Sequence, residues 1–522
     1  MNPSAEPNRH LAAVLDEAGW TYEALARAVR AVAAESRVEL RTSKAAVHHW
    51  VVNGTRPAGR TPLYIAEALS RRLRRTVTPA EIGLGSEPVE DTTRALPLDP
   101  LVAAADLGRL IMLRRRDFLA TTFSAAAVGL PLAYDHQAAA AALSAAAGSR
   151  RIGPGEIAVV RQFTEMFRTA DERLGGGHGL VAITSYLADV VTPMLKGTFP
   201  DSAIRTEAFG AAAELATLIG WKLHDHGSDG AAQRFYLLAY QLACEADPAG
   251  RAAWAMRALT HQALDLGHHT GTAALADAAL LRARGRVDPS TEALLLITAA
   301  RANGASGNRA AAAKLILAAE NAMLAATEPP PAYAAASGPV AATVASHTGK
   351  TLTAMKDHAA AERHYRAAVQ HRVPGTYHRV RALTLANLAK TVAAQHRHEE
   401  AVTLWAQALD LMEGVASERT TKELDTMRSA LRLYTSRRIR GAAQLDRRAA
   451  APRRPAVAGR PRLAGGGHHR PGRGVHRHRP RPHRPKLPRP QEVTPPGRRG
   501  LHLPRGEAAG CGHGRRHALL DR

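Results

Sequence analysis

The sequence predicts an all-α protein with three parts: a small helical domain over residues 8–85, an α-solenoid over 155–434 and a disordered basic tail over 437–522. Alanine is abundant and aromatic residues make up only 4% of the 522 residues, which favours close-packed helices over sheets. We find no convincing alternation of apolar and polar residues that would predict strands. A recurring pattern of large, small and aromatic residues in the middle of the chain predicts helical repeats.

Periodic apolar residues predict four helices in the N-terminal domain. Thr21 and Ser43 stand before the second and third helices, where their hydroxyls can accept hydrogen bonds from free backbone amides. Pro62 lies at the start of the fourth helix, and Gly54 can adopt the left-handed conformation that ends the third. Together the helices make a compact domain with a single core. The residues predicted to face this core are Leu11, Val14, Leu15, Leu25, Ala26, Val29, Val32, Ala46, Val47, Trp50, Ile65, Leu69 and Leu73.

The segments TYEALA, HWVVNGTRP and AEALSRRL resemble a helix-turn-helix domain of the Cro/repressor-like type. More narrowly, residues 8–85 are similar to the N-terminal domains of large regulators from filamentous, high-GC Gram-positive bacteria. Those regulators join such a domain to tetratricopeptide repeats and are linked to development and antibiotic production. The resemblance implies that the third helix binds duplex DNA. Its recognition face would contain Lys44, Ala45, His48 and His49, and the phosphate contacts would come from Asn53 and Arg56.

Two features of this domain depart from the helix-turn-helix pattern. Ala26 and Val47 are 21 positions apart, so a loop or an extended helix replaces the short turn. The predicted recognition face also lacks Arg, Asn and Gln, the side chains best suited to bidentate contacts with bases. Lys44 is therefore the strongest candidate for a base or phosphate contact. The alternative interpretation is a small helical domain that binds protein and not DNA.

Residues 86–150 are predicted to be a linker, and the stretch at 114–133 resembles a twin-arginine export signal. It contains Arg115, Arg116, Phe118 and Leu119, followed by a mild apolar run that ends at Leu132 and Ala133. Export signals are N-terminal, whereas a folded domain precedes this one, so a basic-flanked helix that packs against its neighbour is the favoured interpretation. A start at Met112 would reverse that preference.

Residues 155–434 are predicted to form tetratricopeptide-like hairpins, in which small residues on the first helix face an aromatic residue on the second. A degenerate pair lies at 254–281. The copies of the pattern are Leu385, Leu388, Ala389 and Val392 with Ala401, Trp405 and Ala408; Ala216, Ile219, Gly220 and Leu223 with Ala232, Tyr236 and Ala239; Thr348, Gly349 and Leu352 with Ala361, Tyr365 and Ala368; and Leu296, Ala299 and Ala300 with Ala312, Ile316 and Ala319.

The predicted hairpins indicate a binding surface. One hairpin cannot bury its own apolar face, so stacking about five of them gives a curved solenoid with a concave groove. Such a groove binds an extended peptide or a helix of a partner. The alternative is a pure scaffold. We favour a protein or peptide partner in the groove.

The tail carries most of the positive charge of the chain. Residues 441–522 hold 20 Lys and Arg against 4 Asp and Glu, which leaves only +8 of the net +24 for the rest. Proline, glycine and like charge predict disorder from residue 437 onward. One interpretation is an arginine-rich arm that holds nucleic acid through phosphates. The favoured hypothesis is a frameshift after about residue 438, because the same residue types arise when GC-rich codons are read out of frame.

No group of residues in the sequence predicts an enzyme, a cofactor site or a metal site. The Gly175-Gly176-Gly177 segment lacks the lysine and threonine of a phosphate loop. Two cysteines exclude a disulfide framework and a cysteine-rich zinc site. His224, His226, His268 and His269 are predicted to be solvated loop residues.

These observations together predict a transcriptional regulator. No apolar run reaches membrane-spanning length and the N-terminus lacks the pattern of a signal peptide, so a cytoplasmic location without membrane contact is expected. The predicted partners are duplex DNA and a peptide or protein in the groove. The weak recognition face further predicts that two copies pair as a homodimer. The alternatives are an adaptor that never binds DNA and a regulator whose groove senses a peptide.

Overall fold

The computed structural model describes residues 6–35, 38–73, 75, 77–85, 96–113, 123–124, 126–135, 150–269, 271–373 and 377–451. Their regular structure is almost entirely α-helical. One isolated β-bridge joins Arg151 to Thr198, and no strand occurs among these residues. The predicted all-α fold is confirmed. The predicted tail lies outside the described residues from residue 452 onward.

Four helices form the N-terminal domain: α1 (Arg9–Glu17), α2 (Tyr22–Glu35), α3 (Lys44–Val52) and α4 (Thr61–Leu73). The predicted caps are present. The Thr21 hydroxyl accepts a hydrogen bond from the Ala24 amide at 3.2 Å, and the Ser43 hydroxyl accepts one from the Ala46 amide at 3.3 Å. Gly54 follows α3 with a φ of 62°, the left-handed conformation predicted for it.

The core of this domain is close to the predicted one. The predicted residues that are buried are Leu11, Val14, Leu15, Leu25, Ala26, Val29, Val32, Val47, Trp50, Ile65 and Leu69. Ala46 and Leu73 are only half-buried. Val51 is buried although the sequence pattern did not single it out, because it lies four residues after Val47 on the same face of α3.

A long connection joins α2 to α3. Eight residues, 36–43, separate the two helices, whereas a compact helix-turn-helix has three or four. The Arg30 guanidinium donates a hydrogen bond to the Thr42 carbonyl and holds the end of the connection against α2. The departure indicated by the 21-position spacing is therefore present in the fold.

Helix α5 (Pro100–Leu113) lies where the sequence predicts a linker, so that prediction is wrong for these residues. The Asp99 carboxylate accepts a hydrogen bond from the Leu101 amide at 2.7 Å and caps the helix. Leu101, Leu107 and Ile111 are buried in the same core as the first repeats. The linker prediction relied on the acidic and proline-rich residues before α5. The apolar residues within α5 form a helix that packs against the repeats.

The first part of the stretch that resembles an export signal lies outside the described residues, including Arg115, Arg116, Phe118 and Leu119. Its later part forms a 3-10 helix (Ala126–Ala133) next to the repeats. The Gln233 side chain accepts from the Ser124 amide at 2.8 Å and donates to the Ser124 carbonyl at 2.6 Å. This segment is therefore part of the folded core, in agreement with the packed-segment interpretation.

Helical hairpins follow. Helix α6 (Pro154–Leu174) and the short helices α7 (Leu180–Ser185) and α8 (Thr192–Leu195), joined by a π-helix (Tyr186–Val191), precede them. The hairpins pair α9 (Ser202–Asp225) with α10 (Asp229–Ala246), α11 (Gly250–Asp265) with α12 (Thr272–Ala283), α13 (Pro289–Ala305) with α14 (Arg309–Leu324), α16 (Val340–Ala354) with α17 (His358–Gln370), and α18 (His378–Ala393) with α19 (His398–Met412). The short helix α15 (Ala332–Ala335) and the last pair, α20 (Glu418–Ser436) with α21 (Ala442–Ala450), complete the described repeats.

A small residue on the first helix of a hairpin faces an aromatic ring on the second, as predicted. Gly220 faces Tyr236 and Gly349 faces Tyr365, with the same offset of 16 residues in both hairpins. A Cβ atom at Gly349 would lie 2.9 Å from two ring carbons of Tyr365. The absence of a side chain therefore sets how closely the two helices cross.

We expect Gly349→Ala to lower the free energy of unfolding by about 1–3 kcal/mol, because the buried Tyr365 ring must move to make room. Chemical denaturation measures this. The matched control is Gly155→Ala in α6, where a Cβ meets nothing within 4 Å and alanine favours the helix. Equal stability of both variants would show that the hairpin adjusts freely and that the small residue does not set the spacing.

The beginning of the solenoid contacts its later part through a buried group of side chains, which we call the closure cluster: Asp171, Asp225, Arg379 and Ser417. Arg379 donates to the carboxylate of Asp171 at 2.7 Å and to that of Asp225 at 2.9 Å. The Ser417 hydroxyl donates to Asp225 at 2.8 Å. These residues come from α6, α9, α18 and the residue before α20, so the cluster joins helices that are far apart in sequence.

The Gly175-Gly176 backbone permits this close contact. The Ala416 amide donates to the Leu174 carbonyl at 3.2 Å, and a Cβ at Gly175 would lie 2.1 Å from the Ala416 carbonyl oxygen. Gly175 also has a φ of 91°, which L side chains rarely adopt. A Cβ at Gly176 would lie 2.3 Å from the Lys222 carbonyl oxygen. The glycine-rich segment thus serves as a joint between two parts of the solenoid.

Helix α21 corrects the predicted start of the tail. The sequence predicts loss of regular structure from Arg437, yet α21 is helical and buries Leu445 against the core of the last hairpins. Arg428 and Asp446 form an ion pair at 3.2 Å across this contact. The hypothesised frameshift after about residue 438 stays a prediction, and the packing of α21 on the core favours a frame that is intact as far as residue 451.

Candidate functional site

The residues predicted to bind DNA lie together on the surface of α3 and the loop after it. Lys44, Ala45, His48, His49, Asn53 and Arg56 are all exposed. Val47, Trp50 and Val51 hold the opposite side of the helix in the core. The buried face thus fixes which side chains the helix presents to solvent.

Contacts within this surface involve its histidines and Asn53 and leave its two cations, Lys44 and Arg56, without an acidic partner among the described residues. The Asn53 amide nitrogen lies 3.1 Å from Nδ1 of His49, so these two side chains bind each other. The ring of His48 packs edge-on against Tyr22 of α2, with centroids 6.0 Å apart. Lys44 and Arg56 form no ion pair with any residue that the structure describes. Their charges are available to an anionic partner. No side chain of this surface is held in position for a bidentate contact with a base.

The repeats enclose a cavity of about 700 Å³ on their inner side. This volume is in the range of sites that hold small ligands or short peptide segments. Its aromatic wall consists of Trp221, Trp254, Tyr333, Tyr365 and Tyr377. Charged side chains from the first helices of several hairpins complete the lining, so the site combines apolar surface with strong charge.

Asp265 is the centre of the charged wall. Its carboxylate lies 2.5 Å from the guanidinium of Arg301, 3.3 Å from that of Arg419 and 3.8 Å from Nζ of Lys350. Nε2 of His224 approaches it at 3.7 Å. Burial opposes ionisation of Asp265, but the surrounding cations outweigh burial and hold its pKa well below the ordinary value. One carboxylate therefore serves two permanent cations, Arg301 and Arg419, and the Lys350 ammonium when it is protonated.

The cations of the cavity are less well compensated than this carboxylate. Arg257 is 8% exposed; its Nε donates to the Leu294 carbonyl at 3.3 Å and its guanidinium lies 4.3 Å from the centre of the Trp254 ring. No described carboxylate pairs with it. Burial, and then the charge of Arg301, lower the pKa of Arg257 to about 9. Burial and Arg301 likewise lower the pKa of Lys350 to about 7.

Two buried histidines lie among these cations. The rings of His261 and His347 meet edge-on with centroids 4.5 Å apart. Burial and neighbouring positive groups hold both pKa values well below the ordinary range, so both imidazoles are neutral. Nδ1 of His347 is buried without a hydrogen-bond partner among the described residues. The wall thus offers unused hydrogen-bonding capacity as well as positive charge.

His224 corrects one sequence-based prediction. The sequence predicts a solvated loop histidine, but His224 lies in α9, is buried, and has Nδ1 2.6 Å from the Asp229 carboxylate. Burial disfavours its charged form, yet the hydrogen bond to Asp229 and the nearby carboxylate of Asp265 outweigh burial and raise the pKa of His224. This histidine belongs to the charged wall of the cavity.

A contact near the cavity joins the repeats to the N-terminal domain. Nε2 of His268 lies 3.8 Å from the carboxylate of Glu35 at the end of α2. Arg71 donates to the same carboxylate at 2.7 Å and to the Phe123 carbonyl at 3.2 Å. Burial opposes ionisation of Glu35, but the nearby His268 imidazole and the hydrogen bonds from Arg71 lower its pKa to about 2. The neighbouring His269 lines the cavity, so two adjacent residues contact the N-terminal domain and the cavity.

The cavity residues could not be predicted from catalytic or metal-binding motifs, because these side chains form none. A local signal exists on α11, where Arg257, His261 and Asp265 follow one another at four-residue intervals on a buried face. His347 and Lys350 lie three residues apart on α16, a spacing that also places two side chains on one face of a helix. Charged residues on one face of the first helix of a hairpin, among otherwise apolar residues, would have indicated that this face lines a groove.

Two absences, which concern metal binding and membrane spanning, hold for the residues that the structure describes. Within them, no three or more His, Cys, Asp or Glu side chains are arranged to hold a metal ion. Among the helices of the same residues, none is both long and apolar enough to cross a membrane.

Two segments of the chain match protein-family models. Residues 11–85 match the SP15 N-terminal domain, and residues 340–414 match the tetratricopeptide repeat. The second match spans α16 to α19 and confirms the tetratricopeptide part of the sequence-based prediction. The first match does not test the likeness of the N-terminal domain to Cro/repressor-like domains, which stays a prediction. No curated protein and no solved structure matches the chain.

Proposed function

We propose that the protein is a transcriptional regulator whose N-terminal domain binds duplex DNA and whose tetratricopeptide repeats bind a peptide or protein. The repeats support the protein-interaction role. The observation that carries the DNA-binding role is the exposed α3 surface, on which Lys44 and Arg56 have no acidic partner among the described residues. A helix held by one face and presenting the other suits insertion into the major groove.

The contact through Glu35 supports regulation of one site by the other. A ligand that prefers one arrangement of the cavity would shift the population of arrangements at His268 and hence at the end of α2. Because α2 packs against α3, a change there reaches the proposed DNA-binding surface. Pairing of two copies, which would double the contact with DNA, belongs to the same proposal and is measured by sedimentation.

Chromatin immunoprecipitation with the tagged full-length protein tests the DNA-binding role and supplies a bound fragment. On that fragment we expect Lys44→Ala to weaken binding by about 1–3 kcal/mol if Lys44 contacts a base, and by less if it contacts only phosphate. Mobility-shift titrations over a salt series separate the two cases, since loss of one phosphate contact also reduces the salt dependence by about one unit of slope.

The matched control is Lys314→Ala, an exposed lysine on α14 in the repeats. It should leave DNA affinity unchanged. Failure of the full-length protein to retain any recovered fragment would favour the second candidate function, a repeat-based adaptor whose N-terminal domain binds protein. The family matches support that candidate through the repeats.

A further inference from the structure

The strongest unexplained feature of the molecule is a local surplus of positive charge on one wall of the cavity, whose whole lining holds nine Lys and Arg against seven Asp and Glu. Arg257, Arg301 and Lys350 share this wall, while Asp265 is the carboxylate that pairs with the last two. Burying a cation without a counter-ion costs several kcal/mol in general. A fold that keeps Arg257 in that situation sacrifices stability at this point.

Such a cost is expected where a site serves a ligand. Arg257 is more than nine-tenths buried and its Nε–H bonds only a backbone carbonyl. Nδ1 of His347 is equally buried and has no partner among the described residues. Both groups line the same cavity. An incoming carboxylate would satisfy the guanidinium in a bidentate manner, which is the geometry that arginine favours.

We propose that the cavity binds an acidic peptide segment, with one of its carboxylates seated at Arg257, Arg301 and Lys350. This inference rests on the proposed peptide- or protein-binding function of the repeats and adds the chemistry of the ligand. The occupant is an acidic peptide because tetratricopeptide repeats bind protein segments, because the charge is complementary, and because the aromatic wall suits apolar neighbours of the acidic residue.

Calorimetry with the full-length protein tests the proposal. The probes are two pools of acetylated hexapeptides, one with two glutamates among random apolar residues and one with glutamines in the same places. We expect the protein to bind the glutamate pool at least about tenfold more tightly, because a desolvated charge pair is lost with glutamine. Equal affinity for the two pools would overturn the anionic ligand while leaving peptide binding by the groove intact.

Arg257→Met separates ligand binding from a structural role. We expect this variant to lose the preference for the glutamate pool and to melt at the same or a higher temperature, because a buried unpaired cation is removed. A structural role predicts the opposite, a lower melting temperature with the preference retained. Arg284→Met is the control, since Arg284 is exposed and does not line the cavity.

Two further arms complete the test. Lys350→Gln provides a second variant whose side chain is 23% exposed, and it should weaken binding of the glutamate pool several-fold even if Arg257→Met fails to fold. Inorganic phosphate is added alone to the wild-type protein. Stabilisation by phosphate that depends on Arg257, without binding of the glutamate pool, would overturn the peptide and leave a free anion as ligand. Failure of DNA binding alone would affect only the proposed regulator function.

Discussion

Arg379→Met is expected to lower the free energy of unfolding by about 3–5 kcal/mol, the cost of removing one partner from a buried ion-pair group. Arg379 is 3% exposed and contacts both Asp171 and Asp225. Lys222 remains 3.5 Å from Asp171, so the carboxylate left without a cation is that of Asp225. Denaturant titration monitored by far-UV circular dichroism measures the effect.

The control for this variant is Arg366→Met on α17. Arg366 also contacts two carboxylates, those of Glu362 at 2.7 Å and Glu400 at 2.6 Å, but 41% of its side chain is exposed. Exposed pairs contribute less than about 1 kcal/mol, so little change is expected. Similar losses in both variants would mean that burial of the closure cluster does not decide its strength.

A double variant distinguishes the charge from the shape of Arg379. Replacing Asp225 by Asn together with Arg379→Met removes the charges on both sides of that contact and leaves Asp171 paired with the buried Lys222. The loss of stability should then be smaller than for Arg379→Met alone, because no buried charge is left unpaired. A loss that is additive over the two substitutions would contradict this account.

Asp265→Asn is expected to produce the second large effect, a loss of about 3 kcal/mol, because Arg301 and Arg419 then have no counter-ion at this position. The pKa of Asp265 is depressed in the folded protein. Its contribution to stability is therefore present above the ordinary pKa of 3.8 and is lost as the pH falls below it. The difference between wild type and variant should therefore shrink in acid as Asp265 is protonated, and it should also change near pH 7, where Lys350 titrates.

The same substitution should have the opposite effect on the proposed ligand. Without Asp265 the cavity has more uncompensated positive charge, so the glutamate peptide pool should bind the variant more tightly than the wild type. The control is Asp277→Asn, because Asp277 is exposed and bonds only Asn303 at 3.2 Å. Weaker binding by Asp265→Asn would show that this carboxylate orders the site more than it competes with the ligand.

Features formed by residues that are close in sequence could be predicted, and features formed by residues that are far apart in sequence could not. The hairpin crossing of Gly349 with Tyr365 involves residues 16 positions apart, so periodicity in one stretch of sequence indicates it. The buried face of α3, which contains Val47, Trp50 and Val51, is formed within one short stretch of sequence in the same way. The cavity wall needs helices separated by more than a hundred residues, and no local pattern states their relative placement. The linker prediction was wrong at α5 because the apolar face of this helix is buried by packing against the repeats, which are distant in sequence.

The closure cluster also has a consequence for how the chain is made. Arg379 follows Asp171 by 208 residues and Asp225 by 154. At about 5–20 residues per second, the ribosome delivers Arg379 about 10–40 s after Asp171. During that interval Asp171 and Asp225 lack their arginine partner. Ser417 follows Arg379 by a further 38 residues (417 − 379), so the closure cluster can form in full only after the residue before α20 has been synthesised.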